Sequence, residues 1–279
     1  MKNGLRVVAV AAAMSILTRG ISAFAAEAEP ATIDDAKELA EKLDNPISSL
    51  ISVPIQYNYD EKFGVNDDGK LNVLNIQPVI PFRLNDDWNL ITRTIVPLID
   101  ANDVPTGTSK SGIGDTLHSD FFSPSKIGAN GVIWGVGPVF LLPTATDDLL
   151  GGKKWGAGPT FVALRQKNGW TVGMLANHVW SFAGDDDRPD VNNTYAEPWI
   201  GYTTESAWTF EVSTELNYDW ETHQWQIMPN SNISKLVMFG KRPVNFGAGV
   251  HYWAQSSEEG PEGFGARANV TFLLPKASQ

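Results

Sequence analysis

Beyond its first fifty residues the chain alternates. In residues 208–220, WTFEVSTELNYDW, the positions Trp208, Phe210, Val212, Thr214, Leu216, Tyr218 and Trp220 interleave with Thr209, Glu211, Ser213, Glu215, Asn217 and Asp219. A period of two places one set on each face of a β-strand, one face apolar and the other acidic. Eleven further segments read as strands separated by turn chemistry, which predicts twelve strands near 48–59, 71–84, 88–99, 113–123, 132–143, 155–166, 170–182, 193–204, 207–220, 224–237, 243–254 and 263–274. A helical pattern of useful length occurs at 32–43, TIDDAKELAEKL. Thr32 or Asp34 starts it, Ala36, Leu39, Ala40 and Leu43 form its apolar stripe, and Asn45-Pro46 ends it.

The connections alternate as well. NDD (85–87), PSKIGAN (124–130), KNG (167–169), ES (205–206) and FGKRP (239–243) are mostly short. DEKFGVNDDGK (60–70), DANDVPTGTSKSG (100–112), TATDDLLGGKK (144–154), AGDDDRPDV (183–191) and QSSEEGPEG (255–263) are longer and rich in acids, and only ETHQ (221–224) is short on that side. Short turns at one end and long loops at the other are the signature of an outer-membrane barrel, with turns in the periplasm and loops outside.

The tryptophans follow the same division. Trp88, Trp134, Trp170 and Trp208 fall at the turn end, Trp155, Trp180, Trp220, Trp225 and Trp253 at the loop end, and Trp199 mid-strand. Two belts of rings, each with an apolar body and a polar N–H, suit the two interfaces of a bilayer. Twelve steps from Trp208 to Trp220 span roughly 40 Å of strand, or about 28 Å of height at a tilt of ~45°, close to the ~25 Å apolar band of such barrels. Soluble sheets use strands about half as long.

The fold class expected is therefore all-β: a twelve-stranded antiparallel transmembrane β-barrel of the outer membrane, with a short N-terminal helix. The apolar face of each strand meets lipid and the polar face lines a lumen. Alternation points Arg83, Arg93, Glu197, Glu211, Glu215 and Arg267 inward, with Asn217 and Asn269, as candidates for a constriction or for a salt-bridge network that closes it. Twelve strands lie between eight-stranded barrels filled by side chains and open sixteen-stranded porins, so a narrow or gated passage is expected. The helix is placed in the periplasmic mouth.

Eight prolines (54, 78, 81, 97, 138, 159, 198 and 229) fall within predicted strands, where each removes a ladder donor, so bulges or shifted boundaries are required. The unit G-x-G-P-x-F occurs twice, at 135–140 and 156–161, and predicts one hairpin. GGKKW between the copies lacks the spacing of a phosphate loop. GDDDRPD (184–190) lacks the bidentate Glu of a calcium loop and reads as an acidic surface loop.

Composition narrows the partners. MKNGLRVVAVAAAMSILTRGISAFAAEAEP carries Lys2 and Arg6 ahead of an apolar run, then Ala23-Phe24-Ala25, so residues 1–25 read as an export signal. Removing Lys2, Arg6 and Arg19 with that segment takes the formal charge from −11 to −14, which argues against nucleic acid as a partner. The absence of cysteine excludes disulfides and thiolate metal sites. No cofactor or metal is expected. None of His118, His178, His223 and His251 has a serine two residues on, and His118 has Asp120 on its own face, so no catalytic residues are assigned.

Six segments carry a family resemblance: NPISSLISVPIQYNYD (45–60), GIGDTLHSDFFSPSK (112–126), GVGPVFLLPTATDDLLGGKKWGAGPT (135–160), HVWSFAGDDDRPDVNNTYAEPWIGYTT (178–204), TELNYDWETHQW (214–225) and VTFLLPK (270–276). They resemble the Gram-negative outer-membrane transporters named for the MetA pathway of phenol degradation. The resemblance implies an outer-membrane barrel that passes small molecules, hydrophobic or aromatic ones among them. The reading is an export signal at 1–25, a periplasmic helical segment at 26–46 and a barrel at 47–279. The barrel would be a passive channel whose partners are outer-membrane lipids, a small-molecule solute and the barrel assembly machinery. The alternatives are a non-conducting barrel whose acidic loops bind a ligand, and an outer-membrane hydrolase.

Overall fold

The computed structural model describes residues 33–274, so the export signal expected at 1–25 lies outside the described residues. One helix, α1 (Ile33–Leu43), precedes fourteen strand segments: β1 (Ile51–Phe63), β2 (Gly69–Ile76), β3 (Val79–Arg83), β4 (Trp88–Asn102), β5 (Ser109–Ile113), β6 (Thr116–Pro124), β7 (Val132–Leu142), β8 (Lys154–Lys167), β9 (Trp170–Gly184), β10 (Asn192–Thr203), β11 (Trp208–Asp219), β12 (Gln224–Phe239), β13 (Arg242–Trp253) and β14 (Gly263–Leu274). Successive staves pair antiparallel in chain order, and β1 closes on β14 from Ile51↔Leu274 to Tyr59↔Ala266. β2 and β3 are two halves of one stave, as are β5 and β6, because β4 pairs with both halves on either side. The result is a closed twelve-stranded antiparallel barrel.

Most predicted segments coincide with staves to within a few residues. The fourth is the exception: its pairing begins at Ser109 rather than 113, because the polar run SKSG continues the ladder opposite Leu98–Asn102. The two broken staves show where prolines are absorbed. Pro78 separates β2 from β3, and Gly114-Asp115 separates β5 from β6, where the Gly114 N–H donates to the Pro97 carbonyl.

The repeated G-x-G-P-x-F unit forms a near-symmetric hairpin of β7 and β8, with Pro138 directly opposite Pro159. Each proline leaves a gap in the ladder to the strand beyond: the β6–β7 register lapses at Asp120 and Phe121, and the β8–β9 register at His178 and Val179. The glycine before each proline lets the unpaired carbonyl close in. A Cβ on Gly137 would lie 1.9 Å from the Asp120 oxygen, and one on Gly158 would lie 1.7 Å from the His178 oxygen. Glycine Cα–H groups therefore face the carbonyls that proline cannot serve.

Alternation separates the two faces as the sequence requires. On β11, Phe210 and Val212 are exposed while Thr209 and Ser213 are buried. The outward face is apolar in β9 as well, through Trp170, Val172, Met174, Trp180 and Phe182. On a soluble protein so large an apolar exterior would aggregate; on a barrel it is the lipid-facing band.

The interior at the turn end is filled by α1 and the residues after it. Ala36 and Ala40 of α1 are buried against Ala207, Leu236 and Leu273, with Leu39, Leu43 and Leu50 packed around them. Ala207 lies in the β10–β11 turn, which fixes the helix at that end of the barrel. Lys37 pairs with Glu205 of the same turn. Past the helix, Asn45 Oδ1 accepts the Ile47 N–H at 3.0 Å, and Ile47 enters an apolar cluster of Val79, Ile91, Phe121, Val162, Leu164, Leu175 and Trp199. These come from six different strands, so the segment crosses the lumen from one wall to the other.

Candidate functional site

The polar lumen above and beside this segment is built by strand alternation. Carboxamides recur at spacings of two, Gln56 and Asn58, Asn75 and Gln77, Asn230 and Asn232, and together with Asn177, Asn217 and Asn269 they line it. A cavity of about 250 Å³ lies beside Leu43, Asp44 and Pro46, and a second of about 370 Å³ lies deeper, lined by Asn177, Tyr195, Glu215 and Arg267. Gln56, Gln77, Arg93, Glu197, Glu211, Asn232 and Asn269 line both, so the two are sections of one passage. At ~30 Å³ per water the larger section holds about a dozen waters, and its polar wall can hydrogen-bond them.

The charges in this wall are unevenly satisfied. Arg267 reaches Glu215 at 2.8 Å and Asn58 at 2.7 Å, and Arg93 reaches Gln77 at 2.7 Å. Glu197 receives the Tyr195 hydroxyl at 3.0 Å, but neither it nor Glu211 has a cation within ion-pair distance among the described residues. The wall is thus net acidic, with its two arginines already bound.

Of the residues singled out by alternation, Arg93, Glu197, Glu211, Glu215 and Arg267 converge on this passage. Arg83 does not. At the last position of β3 it folds into the following turn, donating to Asp86 at 2.5 Å and to the Asn85 carbonyl at 3.3 Å, with its side chain mostly exposed. Of the nine tryptophans assigned to the two rims, Trp88, Trp155, Trp170, Trp180, Trp208, Trp220 and Trp225 are exposed on the outer wall, and Trp134 packs edge-on against Trp88 there. Trp253 departs from the prediction. Its parity matches buried His251, and it points inward to donate to Asp60 Oδ1 at 2.7 Å.

Three features had no sequence signal strong enough to single them out. The first is Asp60, which holds both Trp253 and the buried His251, whose Nε2 lies 2.6 Å from Asp60 Oδ1. Gly265 of β14, between β1 and β13, makes this contact possible, since a Cβ there would lie 2.0 Å from that nitrogen. The group ties three strands together across the closing seam. The second is Tyr195. The third is Asp44, in the crossing segment, whose carboxylate is pushed above the usual range by burial.

At the loop end, residues 143–153 and 185–191 interlock. Asp115, in the break of stave four, accepts the Ala145 and Gly152 N–H groups at 3.2 and 2.6 Å. Arg188 donates to the Asp148 and Gly151 carbonyls, Lys153 pairs with Asp148 and Asp185, and Lys154 pairs with Asp190. Asp185 is held below the ordinary carboxylate range first by the Asp187 N–H and then by Lys153, and Asp190 chiefly by Lys154. Two of the four acids of the GDDDRPD loop, Asp185 and Asp190, thus serve the fold. Elsewhere, His118 lies 3.3 Å from Asp120 and 2.8 Å from the Thr94 hydroxyl, and His178 lies 2.7 Å from Thr194.

Among solved structures the chain is similar to an outer-membrane channel from Pseudomonas putida F1, at 14% identity and a TM-score of 0.62 over 81% of this chain and 96% of that one. It is also similar to outer membrane phospholipase A from Escherichia coli, at 13% identity and a TM-score of 0.50 over 87% and 98% of the two chains. A third similar structure is the KdgM porin, at 12% identity and a TM-score of 0.48 over 81% and 100%. No family profile and no curated protein sequence matches the chain. At these identities the likeness to the first two shows the fold alone, that of outer-membrane β-barrels.

Proposed function

We propose that the protein is a passive channel of the Gram-negative outer membrane for small solutes, closed in the described conformation by the segment between α1 and β1. The observation that carries this reading is a polar, water-sized passage interrupted by a piece of chain that belongs to no strand. A barrel built only as a scaffold has no need of such a lumen, whereas a channel needs both the lumen and a means of closing it. Carboxamides and hydroxyls along the wall suit solutes that carry hydrogen-bonding groups. The resemblance to phenol-pathway transporters supports small aromatics bearing a hydroxyl, which meet that condition.

A non-conducting barrel with ligand-binding loops is less well supported, because many of the loop acids are taken up by neighbouring lysines and backbone N–H groups. A hydrolase of the outer membrane is less well supported: among the described residues no serine hydrogen-bonds a histidine, and His118 and His178 bond threonine hydroxyls instead. Swelling of proteoliposomes tests the channel. Protein lacking residues 26–46 should admit phenol-sized and small polar solutes and exclude oligosaccharides. No swelling with any solute, from protein shown by heat-modifiable gel mobility to be folded, would favour the closed barrel.

A further inference from the structure

We infer that the crossing segment is latched by a carboxyl pair, Asp44 of the segment and Glu211 of the wall, which requires a proton to close. The inference rests on the channel reading and adds a control to it.

The geometry is that of a key in a socket. Gly201 of β10 has Glu211 as its cross-strand partner on one side and Thr171 on the other. Having no side chain, it leaves a vacancy between them on the inward face, and Asp44 fills it: a Cβ built on Gly201 would lie 2.6 Å from Asp44 Oδ2. Directly opposed residues hold their Cβ atoms about 5 Å apart, so a carboxylate seated on Gly201 is brought against the Glu211 side chain. Asp44 and Glu211 line the same section of the passage.

Two carboxylates at this distance repel unless a cation or a proton lies between them. Among the described residues no cation does so. Arg267 is engaged by Glu215 and Asn58, and Arg93 by Gln77. Lys37 and Lys42 of α1 pair with Glu205 and Glu38. The remaining charged group facing the pair is Glu197, which adds repulsion. Asp44 Oδ2 is buried and lacks a hydrogen-bond donor. A single proton shared between the two carboxyls supplies that donor and removes one of the two charges. Among the described residues no group of three or more metal-ligating side chains is present that would take its place.

The sign follows from linkage. The docked segment binds a proton that the undocked segment, its Asp44 in water, releases above an ordinary carboxylate pKa of about 3.9. Raising the pH above that value therefore weakens docking, by at most about tenfold per pH unit for one linked proton. The passage is closed in acid and opens towards alkaline pH.

The test is the open probability of the mature protein in planar bilayers between pH 5 and pH 9, with folding of each variant checked by heat-modifiable gel mobility. Wild type should open increasingly as the pH rises. Asp44→Asn should stay closed throughout, because its amide donates to Glu211 without a proton, and Glu211→Gln should flatten the profile in the same way. Gly201→Ala fills the socket and should be open at every pH, as should protein lacking residues 26–46. A wild-type profile that is flat while the truncated protein is open would overturn the latch, and so would an Asp44→Asn profile as steep as wild type. A truncated protein that stays closed would instead overturn the channel reading on which the latch rests.

Discussion

Replacing Val212 by arginine tests which face of β11 meets lipid. Val212 is 54% exposed on the outer wall, opposite Ile200 of β10 and Ser231 of β12. Four residue steps separate it from the Trp208 ring, which at ~3.3 Å per step and ~45° of tilt puts it about 9 Å inside the apolar band. An arginine at the bilayer midplane of such a barrel costs ~2–4 kcal/mol, less near an interface, and from this depth the side chain can partly snorkel towards the headgroups. Val212→Arg should therefore cost about 2 kcal/mol, a roughly thirtyfold shift in the folding equilibrium. Glu211→Gln, one residue away on the inward face, meets no lipid and should leave stability within about 0.5 kcal/mol of wild type. Urea titration of folding into phospholipid vesicles, read by heat-modifiable gel mobility, measures both. Equal losses in the two variants, or none in Val212→Arg, would refute the assignment of faces.

Asp60→Ala removes the acceptor shared by buried His251 and half-buried Trp253 and leaves both donors unpaired at the closing seam, so it should cost roughly 2–3 kcal/mol in the same titration. Ile47→Ala hollows the apolar cluster that anchors the crossing segment. A loss of ~2–5 kcal/mol is usual for such a truncation and falls here on docking, so brief channel openings should appear at neutral pH with the barrel still folded. At the loop end, Asp185 and Asp190 have folded pKa values below their unfolded ones, so their contribution is complete above about pH 4 and is lost as the pH falls through the folded values. Hydrogen exchange of residues 143–153 and 185–191 should then stay slow at pH 5 and accelerate only below about pH 4.

The architecture was legible because a barrel strand repeats one rule: apolar outward, polar inward, over a length fixed by the bilayer. The alternation in WTFEVSTELNYDW gave the faces of β11, and turn chemistry gave most of the strand ends. What alternation could not show was where parity ceases to matter. Arg83 has inward parity, but it sits at a stave end beside Asp86, and the turn captures it. Trp253 was assigned to a rim by its height alone, while its parity with His251 turns it inward to Asp60. Eight prolines conflict with the strand pattern of the sequence, and for Pro78, Pro97, Pro138 and Pro159 the conflict is resolved in three dimensions by two interrupted staves and by Gly-Pro pairs that face one another across a hairpin. Asp44 was invisible for a different reason. Its role depends on Gly201, more than a hundred and fifty residues away, and no local period links a connector to the strand vacancy it fills.

Single-channel recording of the mature protein, with and without residues 26–46, tests the central claim most directly. The plugged-channel account predicts that the intact protein near neutral pH is closed or opens rarely, and that deletion gives frequent, larger, cation-selective steps, since Glu197 and Glu211 leave the exposed lumen net negative. Identical conductance in the two forms, or silence in both from folded protein, would contradict it.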